Sequence, residues 1–336
     1  MKKVIFLEVT DWEKEILQKH PDFLKKAELF SEKLTLENAH KFKEDEIIST
    51  FISSQLSAEA LKQLENLKFI ATRSTGFDHI DLDYCRRAKI LVANVPAYGS
   101  RTVAEYTFGL MICLMRKIYD AYHRVRETGS FSLEGLGGKE LFNKTLGVIG
   151  TGKIGLEVIK IAKGFSMKII AYDKNPSEIL SKELGFEYVS LGELLKNSDI
   201  ITLHIPYNKE TYHLIGKENI NLIKKGAYLI NTARGGIIET EALYQALKTG
   251  QLAGAALDVL EEECELKEER ELLAKGDCAP AKLKNILLNH IFIDLDNVIV
   301  SPHNAFNTEE ALHNIVIATI ENIESYLKGK PINLVT

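Results

Sequence analysis

Cysteine is scarce in this sequence, and the few cysteines are far apart. The 336 residues contain four of them, at Cys85, Cys113, Cys264 and Cys278. This spacing fits neither a disulfide framework nor the CxxC pairs of a zinc or redox site. The thiols are therefore expected to be reduced, as in the cytoplasm, and no metal site is predicted.

Long apolar runs and concentrated positive charge are also missing. No apolar stretch approaches the length of about 20 residues that spans a bilayer, and residues 4–9 are too short for the apolar core of a signal peptide. The net charge of −5 is spread along the chain without a basic stripe that could neutralise phosphates. Neither a membrane nor a nucleic acid is an expected partner, and a cytoplasmic location is predicted.

The composition that is present is that of a folded globular protein. Hydrophobic residues make up 45% of the chain and charged residues 26%, which predicts a packed core. A chain of 336 residues exceeds the size at which one hydrophobic core stops growing, so two domains are expected.

Short β-rich runs alternate with helical patterns in two series, which is typical of parallel α/β architecture. The break between the series lies at Pro96–Ser100, and the domain boundary is placed near Gly99. Beyond it, Thr102 and Glu105 form a T-x-x-E capping box that predicts a helix from Val103. The predicted strands are 4–9, 47–52, 69–72 and 90–95, followed by 146–149, 168–172, 200–204, 227–231, 254–258 and 298–301. The predicted fold class is α/β, with two Rossmann-like or flavodoxin-like domains on parallel sheets.

The first helix of the second series carries a nearly unbroken apolar run, Phe108–Met115. A helix that is apolar on most sides must be covered on more than one side. Burial in the core of its own chain explains the run, and a contact in an oligomer explains it equally well.

A glycine-rich loop follows the β-rich run that begins the second series. Gly150, Gly152 and Gly155 form G-x-G-x-x-G between a predicted strand and a predicted helix. The first glycine permits a tight turn, the second lets the backbone approach a pyrophosphate, and the third permits close packing of helix and strand. This context makes the second domain the dinucleotide-binding domain.

The next predicted strand ends in Asp173, 18 residues after Gly155. An acid at this place accepts hydrogen bonds from the ribose hydroxyls of NAD and repels the 2′-phosphate of NADP. The pattern therefore predicts NAD as the cofactor, and the alternative is an ordinary α/β turn with an exposed aspartate.

Polar side chains follow three more predicted strands, at the sheet edge where open α/β folds bind ligands. Arg234 offers a planar guanidinium that matches a carboxylate, although a surface arginine in a turn is the alternative. Asp258 begins an acidic stretch, and His303 follows another strand end. A histidine paired with a carboxylate suits proton transfer near neutral pH. The residues alone do not decide which glutamate between Glu261 and Glu271 forms the pair.

Taken together, these motifs resemble the D-isomer-specific 2-hydroxyacid dehydrogenase family over nearly the whole chain, and its D-lactate dehydrogenase branch is the most similar. The stretches that carry the resemblance are 73–81, 95–98, 150–155, 204–206, 231–234, 258–263 and 302–306. The resemblance implies an NAD-dependent enzyme that interconverts a D-2-hydroxy acid and its 2-keto acid, with D-lactate and pyruvate as the expected pair. It also implies a homodimer, and it implies that the last helix of the chain packs on the first domain. The predicted domains are then a substrate-binding domain of residues 1–99 plus 305–336 and an NAD-binding domain of residues 100–304.

The resemblance assigns individual residues as well. The implied catalytic residues are Arg234, which binds the substrate carboxylate, His303, the acid and base, and Glu263, its partner. The implied substrate-binding residues are Ser74, Thr75, Gly76, Tyr98 and Phe306. The implied cofactor-binding residues are Gly150, Gly152, Lys153, Ile154, Gly155, Asp173, His204, Pro206, Thr211, Thr232, Ala233, Asp258 and Ala305. For Asp258 the alternative is a strand-end carboxylate that caps a turn.

Two features bear on the substrate and on the class of function. The long segment between Glu263 and His303, with Cys264 and Gly276–Pro280, is similar to the D-lactate branch and unlike the glycerate and glyoxylate enzymes. Formate dehydrogenases have glutamine where Glu263 stands, so formate is disfavoured. The alternative function is an NAD-sensing binding protein, similar to the corepressors that share this fold.

Overall fold

The structure is a computed structural model that describes residues 3–263 and 280–336. Cys264, Cys278 and most of the Gly276–Pro280 stretch lie outside the described residues. The chain forms two compact units, Met1–Gly99 with Asn307–Thr336, and Ser100–Phe306. Ala305 lies in the second unit, where its N–H donates to Asp258 Oδ2 at 2.8 Å.

The first unit is built on a parallel five-stranded sheet with the order β2-β1-β3-β4-β5. Its strands are β1 (Val4–Phe6), β2 (Ala27–Leu29), β3 (Ile47–Thr50), β4 (Phe69–Thr72) and β5 (Leu91–Ala93). Its helices are α1 (Asp11–Gln18), α2 (Pro21–Leu24), α3 (Ala58–Lys62), α4 (Leu82–Ala88) and the last helix of the chain, α12 (Glu309–Leu327).

Helix α12 belongs to the first unit because its apolar face is buried there. Val316, Ile320 and Ile323 pack in one core with Phe6 and Phe69. The helix starts at Thr308, whose hydroxyl accepts from the N–H of Ala311, and it ends before Gly329, which has a φ of +75°.

The second unit is built on a parallel seven-stranded sheet with the order β12-β11-β10-β9-β6-β7-β8. Its strands are β6 (Thr145–Ile149), β7 (Lys168–Tyr172), β8 (Glu187–Tyr188), β9 (Ile200–Leu203), β10 (Ala227–Asn231), β11 (Leu252–Leu257) and β12 (Val298–Val300). Its helices are α5 (Ser100–Arg116), α6 (Ile118–Thr128), α7 (Lys153–Gly164), α8 (Glu178–Leu184), α9 (Leu191–Asn197), α10 (Thr240–Lys248) and α11 (Pro280–Asp294). The predicted α/β fold class, with two parallel sheets, is confirmed.

The register of the second sheet brings the predicted polar strand ends to one edge. Asn231 at the end of β10 pairs with Leu257 at the end of β11, and Leu257 pairs with Val300 at the end of β12. Because parallel strands end at the same edge, the loops that carry Arg234 and His303 start next to each other. The glycine loop leaves the same edge after β6.

The structure corrects the predicted start of α5 and shows what covers its apolar run. The helix begins at Ser100 rather than Val103, and Glu105 forms an ion pair with Arg101 at 2.9 Å, so the predicted capping box does not begin the helix. The apolar run Phe108–Met115 is largely buried against α7 and the sheet. Burial in its own chain, one of the two alternatives, therefore explains the run.

Strands β2 and β8 were not predicted, because each contains a glutamate and neither has the buried apolar run by which the other strands were recognised. Among the described residues, none of the helices is long and apolar enough to cross a membrane.

Candidate active site

The glycine loop between β6 and α7 has backbone geometry that larger residues cannot adopt. Gly150 has a φ of +97°, and a Cβ on it would lie 2.5 Å from the carbonyl oxygen of His204. A Cβ on Gly155 would overlap the carbonyl oxygen of Gly150, so this glycine permits α7 to pack against the loop. Gly152 is the N-cap residue of α7, and apart from its chain neighbours no described residue comes within 4 Å of a Cβ built on it.

The beginning of α7 can therefore accept a pyrophosphate. The N-cap Gly152 supplies no side-chain acceptor for the first N–H groups of α7. Such N–H groups, together with the helix dipole, are the usual binding site of a phosphate. The predicted contacts Lys153 and Ile154 lie in this first turn.

Asp173 follows β7 and is attached to the glycine loop. Its Oδ2 accepts from the N–H of Thr151 at 2.7 Å and from the Thr151 hydroxyl at 3.0 Å, and its Oδ1 accepts from the N–H of Asn175 at 2.9 Å. Burial raises the pKa of Asp173, but these hydrogen bonds outweigh it, so the pKa lies below its usual value. The carboxylate is ionised and still has acceptor capacity on Oδ1 for a ribose hydroxyl. The glycine loop and Asp173 together fit an NAD molecule.

His204 follows β9 beside the glycine loop. Its Nε2 lies 2.9 Å from the hydroxyl of Thr202, and Nδ1 is shielded from solvent. Burial lowers the pKa of His204 to about 3, so the ring is neutral at neutral pH. A little further on, the hydroxyl of Thr211 donates to the carbonyl of Pro206 at 2.7 Å, which closes the loop that carries these predicted cofactor contacts.

The loop after β10 carries Arg234 and is held by a buried asparagine. Asn231 accepts from the N–H of Ala233 at 3.0 Å and donates to the carbonyl of Arg234 at 2.9 Å. The hydroxyl of Thr232 lies 2.9 Å from that of Thr107 on α5. A Cβ on Gly235 would overlap the backbone of Leu260 and Glu261, so the loop lies directly against the loop after β11.

His303 and Glu263 form a close pair. His303 Nδ1 lies 2.6 Å from Glu263 Oε1, and Glu263 Oε2 accepts from the N–H of Leu260 at 3.2 Å. Burial raises the pKa of Glu263, but the hydrogen bond and charge of His303, followed by the Leu260 N–H and the charge of Arg234, bring it below its usual value. Because an ionised carboxylate only accepts, the imidazole hydrogen lies on Nδ1, which leaves Nε2 free to exchange a proton.

Asp258 holds the turn that carries His303. Its Oδ1 accepts from the hydroxyl of Ser301 at 2.6 Å and from the N–H of Asn304 at 2.8 Å, and its Oδ2 accepts from the N–H of Ala305 at 2.8 Å. His303 has a φ of +54°, a conformation that a residue with a side chain rarely adopts without such restraint. The turn-capping alternative for Asp258 thus has a direct geometric basis.

The predicted substrate-carboxylate loop lies in the first unit, after β4. The Ser74 hydroxyl donates to the carbonyl of Gly76 at 2.6 Å, and the Thr75 hydroxyl donates to the carbonyl of Val95 at 2.7 Å. Tyr98 also belongs to the first unit, whereas Phe306 belongs to the second, where its ring centroid lies 6.3 Å from that of His303.

A second histidine–glutamate pair was not predicted. His213 Nε2 lies 2.8 Å from Glu261 Oε1, and the hydroxyl of Thr240 donates to Glu261 Oε2 at 2.6 Å. His213 precedes Glu261 by 48 residues and follows no strand end, so the sequence carries no local signal of this contact. The sequence left open which glutamate pairs with His303. In the structure Glu263 contacts His303, while Glu261 contacts His213.

Comparison with known proteins identifies the family. Residues 108–305 match the model of the D-isomer specific 2-hydroxyacid dehydrogenase NAD binding domain. This chain belongs to the D-isomer-specific 2-hydroxyacid dehydrogenase family, as the sequence motifs indicate, and it is an NAD-dependent oxidoreductase. The predictions of family, enzyme class and NAD as cofactor are confirmed.

Several relatives cover most of the chain. D-lactate dehydrogenase of Escherichia coli is 36% identical over 334 residues, which cover 98% of each chain. An aromatic 2-oxoacid reductase of Clostridium sporogenes is 43% identical over 297 residues, 87% of this chain and 86% of its own. The crystal structure of D-lactate dehydrogenase from Aquifex aeolicus, complexed with NAD and lactic acid, has a TM-score of 0.86 at 39% identity and covers 98% of this chain and 96% of its own.

Proposed function

We propose that this enzyme reduces pyruvate to D-lactate with NADH, and catalyses the reverse oxidation, with Arg234, Glu263 and His303 as its catalytic residues. The observation that carries the proposal is the 2.6 Å contact between His303 and Glu263, on a loop packed against the loop of Arg234. The choice of lactate is supported by the similarity to D-lactate dehydrogenases over nearly the full chain.

We assign the cofactor contacts to the residues around the glycine loop and the neighbouring strand ends. The N–H groups at Gly152, Lys153 and Ile154 would bind the pyrophosphate, and Asp173 would accept from the adenosine ribose. Gly150, Gly155 and His204 shape the loop, and the remaining proposed contacts are Pro206, Thr211, Thr232, Ala233, Asp258 and Ala305. When bound, NADH supplies a hydride to the keto carbon and leaves as NAD⁺.

The protein groups bind and orient the keto acid and supply its proton. The Arg234 guanidinium would bind the carboxylate and polarise the keto oxygen, because its fork of N–H donors matches two oxygens at once. The loop Ser74–Gly76 would add donors to the same carboxylate, and Tyr98 and Phe306 would line the space for the side chain.

His303 would transfer the proton that accompanies the hydride. Protonated His303 donates from Nε2 to the oxygen that becomes the hydroxyl, while Glu263 stabilises the imidazolium through Nδ1. In the oxidation of the hydroxy acid, neutral His303 accepts the same proton. The contact with Glu263 orients the ring in both directions.

A panel of 2-keto acids tests the substrate. We expect NADH oxidation with pyruvate to give the highest kcat/KM among pyruvate, 2-ketoisocaproate, phenylpyruvate, glyoxylate and hydroxypyruvate, and chiral chromatography to identify D-lactate. Formate with NAD⁺ serves as the negative control. A preference for phenylpyruvate would instead assign the enzyme to the reduction of aromatic 2-oxo acids, and L-lactate as product would overturn the proposal.

We also propose a homodimer, through a different surface from the apolar run of α5. Helix α6 and the segment after it expose a group of large apolar side chains: Tyr119, Tyr122, Val125, Phe131 and Leu133. Phe131 and Leu133 are 85% and 82% exposed, which is unusual for neighbouring apolar residues of a monomer. A second copy of the chain would cover this surface.

A further inference from the structure

In the loop between β11 and Glu263, one residue, Glu261, is contacted by three other side chains. Its carboxylate contacts His213 Nε2 at 2.8 Å and accepts from the Thr240 hydroxyl at 2.6 Å, while its backbone carbonyl accepts from the side chain of Asn289 on α11 at 2.7 Å. The side chain of Glu261 is only 10% exposed. A charged side chain buried to this degree and bound by several donors restrains its backbone strongly.

The restrained backbone leads directly to the proposed catalytic pair. Glu263 lies two residues after Glu261, and Glu262 between them has a φ of +60°, so the chain turns sharply there. The N–H of Leu260, the residue before Glu261, donates to Glu263 Oε2 at 3.2 Å. Displacement of Glu261 would therefore move both the backbone that carries Glu263 and a donor that orients its carboxylate.

The same backbone also limits the position of Arg234. Leu260 and Glu261 pack on Gly235, where a Cβ would overlap their backbone atoms. Among the described residues, the charges that act on the pair include Arg234, on Glu263, and Asp258, on His303. A shift of the loop would alter the distances among all of these groups.

We infer that Glu261, held by His213 and Thr240, is a positioning residue that fixes Glu263 against His303. The inference rests on the proposed function, since it gives Glu261 a role only through that pair. Glu261 itself has its carboxylate oriented to His213 and Thr240, and it takes no part in proton transfer.

Thr240→Val tests the inference with little change of shape, because valine replaces the hydroxyl by a methyl group. Loss of the hydroxyl should loosen Glu261, lower kcat for pyruvate reduction by about ten-fold and leave KM within about two-fold; a misplacement of 1 Å can cost about a hundred-fold in rate. The pH at which reduction falls off should also move to lower values. Thr240→Ser keeps the hydroxyl and should restore both properties.

A second readout does not depend on turnover. In protein labelled with ¹⁵N-histidine and free of cofactor, the imidazole nitrogens of His303, assigned by comparison with His303→Gln, should titrate at lower pH in Thr240→Val than in wild type. Thr249→Val is the matched control, because it removes a hydroxyl from the other end of α10 that donates to the carbonyl of Gln245. That variant should leave the titration unchanged.

Combination with Glu263→Gln separates this inference from the proposed function. If Glu263→Gln shifts the His303 titration and Thr240→Val adds nothing in the double variant, Glu261 acts through Glu263 as inferred. If Glu263→Gln shifts the titration but Thr240→Val alone does not, the positioning role is wrong while the catalytic pair stands. If Glu263→Gln has no effect, the pair itself is wrong and the positioning role falls with it.

Discussion

The carbonyl oxygen of Asp258 accepts a hydrogen bond from the backbone N–H of His303 at 2.8 Å. Together with the side-chain bonds of Asp258 to Ser301, Asn304 and Ala305, this contact fastens the turn after β12 to the end of β11. The position of the histidine is thus set by a residue that precedes it by 45 positions in the chain.

Asp258→Asn should destabilise this turn. An amide has one oxygen, so its NH₂ group would face an N–H or a hydroxyl that now donates to Asp258, at a cost of about 1–3 kcal/mol in the free energy of unfolding. Urea unfolding at pH 7 measures this change, with Asp296→Asn, an exposed site on the surface, as the control. An unchanged free energy of unfolding would show that the turn does not depend on the carboxylate.

Asp258→Asn should also change how the free energy of unfolding depends on pH. Burial raises the pKa of Asp258 above 3.8, although the bonds from Ser301, Asn304 and Ala305 and the charge of His303 oppose it. The folded state therefore holds this proton to higher pH than the unfolded state, and this contribution to stability is lost as the pH rises from 3.8 through the folded pKa. Asparagine removes that part of the pH dependence, which unfolding curves between pH 3 and 7 would detect.

Glu263→Gln should move the pH at which pyruvate reduction falls off to lower values. The pKa of Glu263 is lowered by His303 once the opposing effect of burial is overcome, and this attraction works both ways. Without the carboxylate, the protonated imidazole that reduction needs loses its ionised partner at 2.6 Å. The measurement is kcat/KM from pH 5 to 9, with Glu262→Gln as the control, and an unshifted profile would exclude the pair.

Arg234→Lys should lose far more activity than a change that keeps the charge would suggest. A lysine ammonium cannot make the two parallel hydrogen bonds of a guanidinium, and one lost bond to a charged group is worth about 1.5–3 kcal/mol. The expected loss in kcat/KM is about ten- to a hundred-fold. The dissociation constant of NADH, measured by fluorescence, should stay unchanged, and activity within a few-fold of wild type would remove Arg234 from the site.

Asp173→Ser should weaken the binding of NADH and remove the repulsion of the 2′-phosphate of NADPH. The lost hydrogen bond to a ribose hydroxyl is worth about 1.5–3 kcal/mol, so the ratio of kcat/KM for NADH over NADPH should fall at least ten-fold. Lys174 could then bind the phosphate, since its exposed ion pair with Glu210, at 2.6 Å, is a weak interaction. Lys182→Ser, at an exposed position of α8, is the control and should leave the ratio unchanged.

Light scattering should give about twice the chain mass of 37.7 kDa at micromolar concentration. Tyr122→Asp with Val125→Asp would place charges on the exposed face of α6 and should shift the mass toward that of a single chain. Ile179→Asp, which changes a side chain 78% exposed on α8, is the matched control. A wild-type protein with the mass of one chain would contradict the dimer.

Much of the fold was predictable because its signals are local. The alternation of apolar strands with helical patterns, the glycine loop at Gly150–Gly155 and the polar residues after β10, β11 and β12 can all be recognised within windows of a few residues. Such windows record periodicity and turn chemistry directly, and the parallel sheets that they predict are present. The same local motifs were sufficient to identify the family.

Contacts between distant residues were decided only by the tertiary structure. Three consecutive glutamates, Glu261–Glu263, are chemically equivalent in the sequence, but Glu261 meets a histidine 48 residues before it and Glu263 meets one 40 residues after it. Burial of the apolar face of α5 in its own unit likewise depends on α7 and the sheet. A pairing of this kind depends on where loops from separate strands converge, and the residues beside a glutamate in the chain carry no record of that convergence.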